Sequence, residues 1–221
     1  MGKDSDFLQI SDRQAKRRIM ALLRKHGAVI RYKDESRFMR CLGKLMFFAP
    51  RFSKHMSTVI GKTVWLPSRE WARQDEMRAW IVLAHELVHV ADSAKVSGLV
   101  FSLAYLFPQC LALLVPLALA PGCEAMWWFL TFLMPIPAPF RAFIEYRGYA
   151  AQLACCYWRR ISLDGPISNI VKQFTGGGYF FMWPFAKTVR KKANDVRYKI
   201  VTGKFSSEMP ILAEIEKELK R

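Results

Sequence analysis

The alternation of apolar and polar positions divides this chain into amphipathic helices at both ends and one long uncharged stretch in the middle. Ser11 with Gln14 forms a capping-box pattern opening a basic helix that runs to about His26, with Gly27 as its stop. Ala15, Ile19, Leu22 and Leu23 form its narrow apolar face, between Lys16, Arg17, Arg18, Arg24 and Lys25. Such a helix either packs one face into a core or lies on an anionic membrane. Residues 58–66 alternate well enough for a strand, which Pro67 stops. From Asp75 onward good helix formers, with acids in the first turn, predict a helix that ends near Ser93.

No residue between Lys95 and Glu124 carries a charge, and a second uncharged run extends over 125–140. The first run is long enough for a bilayer core, which takes about 20 apolar residues. Pro108, Pro116, Pro121, Pro135, Pro137 and Pro139 interrupt both runs, and Pro121-Gly122 supplies a turn, so an apolar hairpin is expected, spanning or re-entrant. A helix rich in small residues follows over 141–154. Asp164-Gly165-Pro166 is expected to break the chain. An aromatic cluster (Tyr179 to Phe185) follows Gly176-Gly177-Gly178, as interfacial anchor or core. A basic helix over 187–204 and a final helix over 208–220 complete the pattern, with no internal repeat.

Composition narrows this picture. With 221 residues, one domain with a sizeable core is expected. Its parts are a basic helical portion (1–57), a strand and helix (58–95), the apolar hairpin (96–140) and a basic C-terminal portion (141–221). Cys41, Cys110, Cys123, Cys155 and Cys156 are odd in number and lack a C-x-x-C, which argues against a disulfide framework and for a reducing compartment. The N-terminus leads into a polar segment rather than an apolar one, so neither a cleavable signal peptide nor a myristoylation signal is expected.

The net charge is +16, which calls for anionic lipid or nucleic acid. All 34 Lys and Arg lie outside 96–140. The positive-inside rule then sets both chain ends on the cytoplasmic side of a membrane. No RNA- or DNA-binding motif accompanies the charge, so nucleic acid is the weaker alternative.

The candidate chemistry is His85-Glu86-Leu87-Val88-His89. This H-E-x-x-H pattern sets two imidazoles on one helix face to ligate zinc, and Glu86 beside them as general base toward water at the metal. A catalytic zinc needs a third protein ligand. No histidine follows His89, and of the acids downstream (Asp92, Glu124, Glu145, Asp164, Asp195) Glu145 is the best placed. Its helix has the small residues that allow close approach, and a hairpin leaving and re-entering one face returns it beside His85 and His89. Tyr149, Tyr146 and Arg147 are within reach as oxyanion donors, with Tyr149 the candidate.

On these residues the chain resembles the gluzincin metallopeptidases over roughly residues 58–160. Its layout is most similar to their integral-membrane members of the HtpX and CAAX-protease type. It also looks like compact H-E-x-x-H proteins of tailed phages. The resemblance implies an α+β, mainly α, zincin-like minimal metalloprotease with a small edge sheet and an inserted apolar helical hairpin. It also implies Zn2+ on His85, His89 and Glu145, and a peptide or protein substrate. One departure is evident. The family places a small residue and then Asp after the ligand motif (E-x-x-A-D), whereas Gly148 and Tyr149 stand here, leaving Asp92 as the candidate to orient an imidazole. Residues 58–67 resemble the edge strand of the zincin cleft. Two further readings stay open: a non-catalytic membrane or envelope-interaction protein on the same scaffold, and a basic nucleic-acid binder.

Overall fold

The computed structural model describes residues 7–45, 56–108, 111, 136–177 and 181–221. Among these, helices predominate over a three-stranded sheet. In chain order they are α1 (Asp12–Lys25), β1 (Val29–Tyr32), α2 (Arg37–Leu45), β2 (Thr58–Ile60), β3 (Thr63–Leu66), α3 (Trp71–Gln74), α4 (Glu76–Ser93), α5 (Gly98–Leu106), α6 (Pro139–Trp158), α7 (Asp164–Thr175), α8 (Ala186–Val201), α9 (Phe205–Glu208) and α10 (Pro210–Lys220). The mainly helical α+β class is as expected.

α4 is the central element, packed on one side by α1 and on the other by α6. It is starved of exposed polar positions because Ala79, Trp80, Leu83, Ala84, Leu87 and Val88 are all buried. Asp75 caps its N-terminus, accepting from the Arg78 backbone N–H at 2.8 Å, which satisfies one of the donors a helix start leaves orphaned. α1 is held at its N-terminal end. The Ser11–Gln14 capping box is formed, and Asp12 accepts from Trp80 Nε1 at 2.9 Å and from Arg159 at 2.7 Å. Its apolar stripe, Ala15, Ile19, Leu22 and Leu23, is buried. The face that a membrane-lying helix would offer to lipid is therefore consumed inside the fold.

The sheet has the order β1-β3-β2, with β1 parallel and β2 antiparallel to β3. Two corrections to the sequence reading arise here. Residues 58–66 are a hairpin rather than one strand, because Gly61 at φ +59° takes the left-handed conformation a two-residue connection demands. β1, inside the portion expected to be helical, pairs with β3 from Val29↔Thr63 to Tyr32↔Leu66. β2 is thus an edge strand, and it lies against α4.

Asp164-Gly165-Pro166, expected as a break, is the first turn of α7, where the missing proline N–H has no helical partner to lose. In the apolar stretch, Ser97 caps α5 by accepting from Val100 N–H at 3.2 Å, and α5 ends at Leu106, ahead of Pro108. Among the described residues no helix is long and apolar enough to cross a membrane. Residues 112–135, which hold the expected hairpin turn and Glu124, lie outside the described residues, as do Tyr179 and Phe180 of the aromatic cluster. Met182 of that cluster is core, fully buried, with its carbonyl accepting from Ala138 N–H at 2.9 Å.

Candidate metal centre

The i, i+4 spacing of His85 and His89 projects both rings from one face of α4. They are 5 % exposed, and Glu145, from the second turn of α6, is 3 % exposed. The two imidazole Nε2 atoms lie 2.8 Å apart, and Glu145 Oε2 lies 3.3 Å from His85 Nε2. One ligand atom from each of the three falls within 4.8 Å of the others. The expected convergence of His85, His89 and Glu145 is therefore present.

What permits it is a glycine. A Cβ on Gly148 would stand 2.6 Å from Cε1 and Nε2 of the His85 ring, so no other residue lets α6 approach α4 this closely. Gly148 thus has a steric duty. Tyr149 follows, its ring edge-on to His85 with centroids 4.8 Å apart and tilted against Phe174 at 5.7 Å.

The donor set fits zinc. Two imidazoles and a carboxylate suit that ion, and at bond lengths near 2.0–2.2 Å tetrahedral ligands sit about 3.3 Å apart. The His85–Glu145 distance matches that spacing; the imidazole pair has to open by about half an ångström. Glu145 Oε2 is buried without a hydrogen-bond partner, an arrangement that costs stability unless something positive is bound.

Electrostatics agree. Burial alone would raise the Glu145 pKa, but the nearby imidazoles and Arg141 outweigh it and hold the carboxyl at about 2. Burial and the adjacent His85 push His89 down. Carboxylate and neutral imidazole are the ligating forms. Glu86 moves the other way, raised by burial against the opposing pull of His89, Ser57 and Lys33. A carboxylate with a raised pKa is suited to accept and return a proton.

Asp92 does not orient an imidazole. Its carboxylate is gripped by Arg147 through Nε at 2.6 Å and a terminal nitrogen at 2.9 Å, and by Lys95 at 2.9 Å. Arg147 is correspondingly committed to that pair. Among the described residues neither histidine Nδ1 has a hydrogen-bond partner.

Three contributors were not read from the sequence. Ser57, just before β2, donates to Glu86 Oε1. Tyr105, from α5, donates to Glu145 Oε1. Lys33, just after β1, is 3 % exposed and donates to Thr58 Oγ1 at 2.8 Å. The signal for Tyr105 was available, since it is the one phenol in the run 96–123. Ser57 and Lys33 carried none. The three cysteines among the described residues play no part here: Cys155 and Cys156 are buried free thiols, Cys41 is exposed, and burial raises both buried thiols above their ordinary range.

Two variants test this description. Gly148→Ala should displace the His85 ring and weaken zinc binding about tenfold or more, at a packing cost of about 1–3 kcal/mol; chelator competition and urea unfolding measure both. Lys33 titrates at about 8 in the fold against 10.5 when free. Between those values the folded chain binds fewer protons than the unfolded one, so stability rises with pH there and the penalty is full below the lower value. Lys33→Met should exceed the wild type in stability by at most about 3 kcal/mol at pH 7. The gap should narrow by pH 10 in urea unfolding of metal-free protein.

Compared with known proteins, the chain matches no family model, no curated protein and no solved structure.

Proposed function

We propose that this chain is a membrane-associated, zinc-dependent endopeptidase. The observation that carries the reading is the buried convergence of His85, His89 and Glu145 with Glu86 adjacent on the same helix. A zinc held there supplies Lewis-acid polarisation of a peptide carbonyl and acidification of water. Glu86, its pKa raised by burial, takes the proton and delivers it to the departing amine. Ser57 fixes one oxygen of Glu86 and leaves the other for that transfer. Tyr149, packed on His85, is the proposed oxyanion donor. An extended peptide is held by adding itself to the edge of β2, which packs against α4, through backbone hydrogen bonds.

Membrane association is supported by surface chemistry. Val100, Leu103, Phe107, Phe140, Phe143 and Phe185 are exposed, and a net charge of +16 draws the chain to anionic headgroups. The basic termini and the site then lie on the cytoplasmic face.

Purified protein should carry zinc, and Glu145→Ala, left with His85 and His89, should bind it measurably but much more weakly. Glu86→Gln should keep the metal while cleavage of an unstructured protein substrate falls by about 10²–10⁴; cleavage at the wild-type rate would end the catalytic proposal and favour a non-catalytic scaffold. Co-sedimentation with phosphatidylserine vesicles, decreasing as salt rises, is expected, with little on phosphatidylcholine alone. Equal recovery in the supernatant from both vesicle types would remove the membrane component.

A further inference from the structure

The apolar segment does more than present a surface, because its first helix turns two aromatic side chains onto the metal-binding group. Phe101 lies against His89 with ring centroids 6.5 Å apart. Tyr105, one turn on, donates its hydroxyl to Glu145 Oε1. The two oxygens of Glu145 therefore have different fates. Oε1 is occupied by a phenol. Oε2 is 3.3 Å from His85 Nε2 and accepts no hydrogen bond.

That division matters for coordination number. A carboxylate free to use both oxygens fills two positions on a small divalent ion, and a catalytic site needs one position left open. Behind the phenol stands Arg141, one turn before Glu145 on α6. It is 8 % exposed, and its guanidinium carbon lies 4.9 Å from the Tyr105 ring centroid. A cation over the ring face holds that ring in place. The ring in turn holds the carboxylate.

We propose that Tyr105 is a positioning residue of the metal centre: backed by Arg141, its hydroxyl pins Glu145 Oε1 so that Oε2 alone joins His85 and His89 as ligand. The proposal rests on reading the three residues as a zinc site. It makes α5, from the apolar segment, a working wall of that site. Groups that orient ligands in this way contribute about 10–100-fold to metal affinity.

Tyr105→Phe keeps the ring and its contact with Arg141 and removes only the donor. Zinc affinity is measured by competition with a chromophoric chelator, and geometry by the visible spectrum of the cobalt-loaded protein. The expected result is a 10–100-fold loss of affinity, with cobalt bands weakened toward those of a five-coordinate ion. Leu106→Ala, on the exposed side of α5, should match the wild type. Because Tyr105 acts through Glu145, adding Tyr105→Phe to Glu145→Ala should cost no further affinity, a non-additivity that general loosening of α5 would not produce. Wild-type affinity in Tyr105→Phe, or additive losses in the double variant, would overturn the proposal while leaving the zinc-site reading intact. A wild-type chain that binds no zinc would overturn both.

Discussion

The structure turns on how closely α6 can lie against α4. The His85 ring occupies the space where any side chain at position 148 would begin, so the separation of these two helices is set by a hydrogen atom on one and an imidazole on the other. Everything chemical in the molecule follows from that distance. It brings Glu145 to His85, and it buries all three ligating groups together. The rest of the fold supports it: α1 braces the far side of α4, and α7 and α8 pack behind α6.

That closeness is costly. Two imidazoles and a carboxylate are withdrawn from water into one volume, with Glu86 beside them, and both histidine Nδ1 atoms are without partners among the described residues. Buried groups of this kind destabilise a fold unless compensated. Arg141 offsets part of the charge, and a divalent cation would offset the remainder. A purely structural core at this position would be expected to use aliphatic side chains, as the neighbouring Leu83, Leu87 and Val88 do. The chain carries the penalty where the chemistry is.

What the sequence revealed and what it hid follow the range of the interactions involved. The ligand pair on α4 is a local feature, fixed by helical periodicity, and Glu145 was legible because small residues around it advertise close packing. The α1 face and its capping box were equally local. By contrast β1 is four residues long with alternating half-exposure, too weak a pattern to register, and its parallel partner β3 lies more than thirty positions away. Ser57 and Lys33 act through contacts across the fold that no spacing rule encodes. Asp92 shows the opposite failure: it shares a helix face with the histidines, yet Arg147 and Lys95 compete for it and win, since a bidentate guanidinium pair satisfies both oxygens at once.

The same Asp92–Arg147 pair has an architectural consequence. It joins the last turn of α4 to α6, a clasp across the two stems from which the uncharged segment departs and to which it returns. The two stems are thus fastened to each other by a contact of their own, independent of the chain that runs between them. Doubling a flexible loop adds only about 0.6 kcal/mol of closure entropy. The length of chain between the two stems therefore bears little on whether they meet.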